Sequence, residues 1–318
     1  MELISAKLIT YNRAPSLERT LTDWFSCGLR DIPLEVLDNA STDCTSRVID
    51  AFRIKGISVL THQHNIGVCG NILRATERFT SKYCWLLCDD DIIDKSAAPA
   101  LLDAITSQRY DALIVGAPER ASLPIGRSGS GSHLRAAGAR LYHTMTFLPA
   151  TIYDRKFLDD GVLMRCNKAA STAYPHLPLI DSIIANASNI RIADKLVFQR
   201  AYTQSGKQVR ISGVYQIAAA AQYVNKSRRK LIYRDIFALQ VKSAKQSFIM
   251  FSGEKYYQLC SLPEWVLLLK ELRLLGLKSW IVQLTAFMTP RWLFRLAYLI
   301  FQRKGRQFGD DFVSTDRL

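Results

Sequence analysis

A chain of 318 residues, 48% of them hydrophobic, carries enough apolar side chain for one large domain, or one domain with a substantial appendage, and this excludes an intrinsically disordered protein. The 42 Lys and Arg against 28 Asp and Glu give a formal net charge of +14, so the expected partner is a polyanion, an anionic membrane surface or a phosphorylated substrate. The 7 Cys form no Cys-x-x-Cys pair and no metal-ligand spacing; they read as free buried thiols of a reducing compartment, not as a disulfide framework.

From the start to about Gly116, apolar runs of strand length alternate with helix-patterned segments, the pattern of βαβ units and a mostly parallel sheet. The predicted strands are Leu3 to Thr10, Leu34 to Leu37, Ile57 to Thr61, Tyr83 to Cys88 and Ala112 to Val115. Helices are predicted from Ser16, Asp43, Val68 and Ser96, with Pro15-Ser16, Thr42-Asp43 and Asp94 to Ser96 offering caps. The first strand lacks the basic segment, long apolar core and cleavage site of a signal peptide, so a cytoplasmic protein is expected.

In a parallel sheet the ligand site lies beyond the carboxyl ends of the strands, and the loops there are unusually polar. They are Thr10-Tyr11-Asn12-Arg13, Asp38-Asn39-Ala40-Ser41-Thr42-Asp43, His62-Gln63-His64-Asn65-Ile66-Gly67 and the acidic run Asp89-Asp90-Asp91. Along an extended chain Asp89 and Asp91 point the same way, which suits one hard cation, Mg or Mn; the same acids would also suit the cap of the following helix. A planar base could be met by the Tyr11 ring and the Asp38 carboxylate, and a pyrophosphate by Arg13 or Arg74.

Leu8 to Arg13, Leu34 to Asp43, Asn65-Ile66-Gly67 with Asn71, and Leu87 to Asp91 follow one another in the order and rough spacing of glycosyltransferase family 2, which this first third of the chain resembles. Ile9 stands where that family often has Pro. The resemblance implies an α/β GT-A fold and inverting transfer from a nucleoside-diphosphate sugar. It implies a donor site of Thr10, Tyr11, Asn12, Arg13, Asp38, Asn39, Asn65, Gly67, Asn71, Asp89 and Asp90, with Tyr11 and Asp38 near the base. Asp91 and Asp89 would hold the Mg or Mn cation.

Beyond Gly116, the Gly- and Ser-rich stretch from Ser122 to Gly138 reads as a loop or as a flap over the donor, and Leu141 to Ile152 as one or two strands returning to the sheet, with a short helix from Asp154. By the resemblance this region builds the acceptor side. At the start of the next helix stand His176 and, a turn or so later, Asp181; either could be the general base that takes the acceptor hydroxyl's proton.

The expected domains are a catalytic region over 1–212, divided at about 116, and a helical, basic region over 213–318. The latter contains Asn225 to Lys230, Lys242, Lys245 and bulky apolar stretches at Pro263 to Lys270, Ser279 to Leu284 and Arg291 to Phe301, followed by a polar tail from Arg306. None reaches the roughly 20 uninterrupted apolar residues of a membrane span, so the expectation is helices lying at the inner face of the plasma membrane. The expected function is transfer of a sugar to a lipid-linked oligosaccharide or surface polysaccharide of O-antigen or capsule type. A non-enzymatic membrane or assembly adaptor keeping a nucleotide-binding fold is the alternative. Nucleic acid is not expected, because no aromatic-basic interleaving of an RNA or DNA module is present.

Overall fold

The computed structural model describes residues 2–107, 109–118, 123–199 and 212–240, with scattered positions between 266 and 290. The chain divides into two units, Met1–Ala201 and Tyr202–Leu318.

The first unit begins with β1 (Ile4–Thr10), every residue of which is buried. Then come α1 (Ala14–Phe25), β2 (Leu34–Asp38), α2 (Thr45–Arg53), β3 (Ser58–Thr61), α3 (Gly67–Glu77), β4 (Tyr83–Cys88), β5 (Ile92–Ile93), α4 (Ala98–Ser107), β6 (Ala112–Ile114) and β7 (Gly116–Ala117). The unit continues with β8 (Ser128–Gly129), α5 (Gly131–Ala136), α6 (Leu141–Met145), β9 (Thr151–Asp154), α7 (Asp160–Lys168), α8 (Leu177–Asn186), β10 (Ile190–Ile192) and β11 (Phe198–Gln199). The large sheet has the order β3-β2-β1-β4-β9-β6-β10-β8, and β5, β11 and β7 form a small second sheet. Strands β3, β2, β1 and β4 run parallel. β9 is antiparallel to both β4 and β6, so four parallel carboxyl ends lie side by side before the sheet changes direction.

Both faces of the sheet are covered, which is why β1 and β2 are buried without alternation. The core centres on Trp85, which packs against Trp24 at 5.6 Å and edge-on against Phe198 at 5.3 Å between ring centroids. Its indole N–H donates to the Pro149 carbonyl at 3.0 Å, so the ring is buried with its polar atom satisfied. Lys7 and Glu35 are both buried and paired, Lys7 Nζ meeting Glu35 at 2.5 Å, while half-exposed Arg78 donates from Nε to both carboxylate oxygens of Glu35 at 3.1 and 3.2 Å. Burial raises the Glu35 pKa, but the hydrogen bonds from Arg78 and Lys7 outweigh it and hold the carboxyl below its ordinary value.

Three expectations change. The first part of Leu141 to Ile152 is the helix α6, and only Thr151–Asp154 is a strand; Leu141, Tyr142, Thr144 and Met145 are all buried, and a short apolar run buried on all sides has no period to distinguish helix from strand. The Gly-rich stretch is built structure where it is described: Ser130 accepts the His133 N–H at the start of α5, and Gly126 and Gly138 supply the positive-φ bends on either side. Among the six cysteines described, only Cys84 and Cys166 are buried; Cys27, Cys69 and Cys88 are partly so and Cys44 is exposed, because it precedes α2 at a turn.

In the second unit α9 (Ser212–Ala220) leads through a 3₁₀ turn at Ala221–Tyr223 to α10 (Lys226–Gln240). Buried Glu271 accepts from Arg229 at 3.2 Å and from the Tyr233 hydroxyl at 2.8 Å. Among the described residues no helix is long and apolar enough to cross a membrane. Lys242, Lys245, Arg291 to Phe301 and the tail from Arg306 lie outside the described residues, as do half of Pro263 to Lys270 and most of Ser279 to Leu284.

Candidate active site

The four loops at the carboxyl ends of β1 to β4 are tied into one constellation. Thr10 ends β1 and donates its hydroxyl to Asp89 Oδ2 at 2.6 Å. Arg13 Nη1 lies 3.3 Å from Asp89 Oδ1 and also pairs with Asp90. Thr20, in the second turn of α1, donates to the Asp89 carbonyl at 2.8 Å. The Asn12 side chain accepts the Thr42 N–H at 2.7 Å, while its own N–H donates to Ser41 Oγ at 2.9 Å. Asp43 accepts the N–H groups of Ala14 at 3.1 Å and Thr45 at 2.9 Å, capping α1 and α2 together.

The β2 and β3 loops are joined by amides. Asn39 donates to Asn65 Oδ1 at 2.8 Å and accepts the Ile66 N–H at 2.9 Å; Asn65 in turn accepts the Gly67 N–H at 2.8 Å. Buried Asn71 donates to the Leu37 carbonyl at 3.1 Å and meets His62 Nε2 at 3.0 Å. Asp38 is buried and accepts the Ser41 N–H at 3.1 Å, and Tyr11 on the adjoining β1 loop is 40% exposed. Asn12 and Ala40 hold φ of 50° and 62°, each an uncommon left-handed conformation that the surrounding hydrogen bonds enforce. Arg74 is turned away onto a solvated helix face, 3.8 Å from Glu77.

The acidic run does not alternate as an extended chain would, because residues 89 and 90 form a turn. Asp89, expected to share the cation, is directed instead to Thr10 and Arg13. The ligand atoms that converge are those of Cys88, Asp90 and Asp91, all within 4.8 Å of one another. That span suits one cation held by two carboxylates, with water and a substrate's phosphates completing the shell, as is usual for Mg and Mn. Burial, with the three neighbouring carboxylates, pushes the Cys88 thiol well above its ordinary pKa, so Cys88 is a neutral wall of this cluster more than a thiolate ligand. Burial also raises the Asp89 carboxyl, against the Thr10 and Arg13 hydrogen bonds.

In the second half of the unit, Cys69 of α3 donates to the Thr172 carbonyl at 2.9 Å, which fixes the segment leading to α8 beside the helix that follows the Asn65 loop. His176 precedes α8; its Nε2 is 3.3 Å from the Thr146 carbonyl, and its buried Nδ1 has no hydrogen-bond partner among the described residues. The contact assigns the proton to Nε2 and leaves the Nδ1 lone pair as an acceptor. Burial lowers the His176 pKa to about 4, opposed by the Thr146 contact. Asp181 is buried, not at the surface, and accepts the Tyr142 hydroxyl at 2.7 Å.

Thr20, His62 and Cys88 were not among the expected site residues. Cys88 was legible, being adjacent to the acids; Thr20 lies inside a helix pattern that carries no such signal.

Residues 5–146 match the family model described as "Glycosyl transferase family 2". The abequosyltransferase RfbV of Salmonella typhimurium is 31% identical over 111 residues, which is 33% of this chain and 33% of that protein, so the chain matches about a third of that relative's length. The crystal structure of S. aureus TarS 1-349 superposes with a TM-score of 0.56 at 17% identity, covering 97% of this chain and 93% of that one. The mannosyltransferase PcManGT from Pyrobaculum calidifontis, solved in complex with GDP-Man and Mn2+, gives 0.53 at 14% identity, over 96% and 88%. The resemblance to glycosyltransferase family 2 holds over residues 5–146, and the fold is of the GT-A type.

Proposed function

We propose that the protein is a glycosyltransferase that moves a sugar from a nucleoside-diphosphate donor to a growing surface glycan, with inversion at the anomeric carbon and with a Mg or Mn cation. The observation that carries this reading is the joining of the four polar loops through Thr10, Asn12, Arg13, Asn39 and Asn65 around the acidic turn. A site that only capped helices would not need Arg13 brought across to two of the three acids. The names of similar proteins support the class: RfbV is an abequosyltransferase, and PcManGT was solved with a nucleotide sugar and Mn2+.

In this reading Tyr11 offers a face to the base and Asp38 a carboxylate to its ring N–H, while Asn39, Asn65, Gly67 and Asn71 shape the crevice wall. Asp89 is held by Thr10 in position to meet the ribose or sugar hydroxyls. Asp91 with Asp90 would hold the cation, which when bound offsets the charge that develops on the leaving diphosphate. His176 uses Nδ1 to accept the proton of the acceptor hydroxyl, its Nε2–H steadied by Thr146. Asp181, committed to Tyr142, orients the α6–α8 wall of the acceptor side. The acceptor is a lipid-linked oligosaccharide or surface polysaccharide, and the basic region from about residue 213 associates with the inner face of the plasma membrane; the +14 charge supports this.

The test is donor hydrolysis or transfer with a panel of nucleotide sugars. Activity is expected to disappear with a chelator and in Asp91→Ala, and to return with Mn2+ in the wild type alone. Undiminished turnover in both would remove the cation from the account.

A further inference from the structure

Arg13 does two things at once. Its Nη1 approaches Asp89 Oδ1 at 3.3 Å and pairs with Asp90, and Asp90 is also one of the three residues whose ligand atoms converge with those of Cys88 and Asp91. A guanidinium and a divalent cation cannot both neutralise the Asp90 carboxylate at full strength, because they share its single negative charge. The Arg13 side chain is 52% exposed and Asp90 48% exposed, so this pair can open, whereas the Asp89 side chain is 4% exposed and fixed by Thr10.

Building on the reading above, we propose that Arg13 is a placeholder countercharge: it holds Asp90 until a divalent cation engages Asp90 and Asp91, and then turns from Asp90 toward the donor's diphosphate. The geometry supports both ends of the movement. Arg13 immediately precedes α1 on the β1 loop, beside Tyr11 and the Asn12–Thr42 latch, and Asp89 remains as a pivot when Asp90 is given up. A guanidinium carries N–H donors along more than one edge of its plane, suited to phosphate oxygens. The consequence is that cation and donor bind in a favoured order, with the cation first freeing the residue that the diphosphate needs.

Mn2+ binding to the full-length protein, measured without nucleotide by titrating the free-ion electron paramagnetic resonance signal, separates this role from a merely structural one. Arg13→Gln is expected to bind Mn2+ more tightly than wild type, by roughly threefold to tenfold for a half-exposed ion pair, and Arg13→Lys to remain near wild type. In the presence of Mn2+, Arg13→Gln is expected to bind a nucleoside diphosphate more weakly. If Arg13 merely props the acidic turn, Arg13→Gln will lose Mn2+ affinity, and that result, or an unchanged affinity, overturns the proposal while leaving the cation site intact. Absence of Mn2+ binding in wild type and Arg13→Gln, with or without nucleotide, would instead overturn the cation reading on which the proposal rests.

Discussion

His176 shows how much a single side chain's surroundings decide. An imidazole in water titrates near 6.5, and burial brings this one to about 4. Between those values the unfolded chain binds a proton that the folded protein does not, so stability is full above the unfolded value and declines as pH falls toward 4. His176→Gln should flatten that decline in denaturant midpoints measured from pH 7 to pH 4. In turnover, His176→Ala is expected to lower kcat by at least about a hundredfold, the usual contribution of general-base catalysis, with little change in donor KM. Near-normal turnover, with loss in Asp181→Asn at preserved stability, would move the base to Asp181. The sequence placed His176 correctly at the head of α8, but not its burial, because that depends on Thr146 and α6, thirty residues distant in the chain.

At the scale of elements, two ionic staples hold the sheet. Lys7 on β1 and Arg78 after α3 converge on Glu35 of β2. Removing Lys7 leaves the buried Glu35 carboxylate with Arg78 alone, so Lys7→Met should destabilise by about 2 kcal/mol in urea unfolding, and adding Glu35→Leu should restore part of it. Asp111, just before β6, accepts the N–H groups of Ser188 at 2.7 Å and Asn189 at 3.1 Å and pairs with Lys156. Burial raises its pKa, but these partners outweigh it and hold the carboxyl at about 2. Its contribution is therefore complete above the ordinary carboxylate range near 4 and is lost as pH falls to about 2. Asp111→Ala should cost about 2 kcal/mol near neutral pH, and the difference from wild type should shrink in acid. Neither staple was legible, since no periodicity joins residues 43 or 77 positions apart. What was legible is local: β4 runs from Tyr83 to Cys88 as expected, while α6 was not separable from a strand because all its apolar residues are buried. The expectation that Asp89 and Asp91 act together assumed an extended chain, and the turn at Asp89 removed that assumption.

For the whole molecule, the four loops come from successive βα units, so their order along the chain already implied one edge of one sheet. The basic region is proposed to bind an anionic membrane surface. The full-length protein should sediment with vesicles containing anionic lipid and be released as salt rises, whereas neutral vesicles should leave it in the supernatant. The most direct test of the site at the carboxyl ends of β1 to β4 is a crystal structure with a nucleoside diphosphate and Mn2+. The base is expected between Tyr11 and Asp38, the ion on Asp91 and Asp90, and Arg13 parted from Asp90; a nucleotide seated elsewhere, or an ion bound without Asp91, would contradict this site.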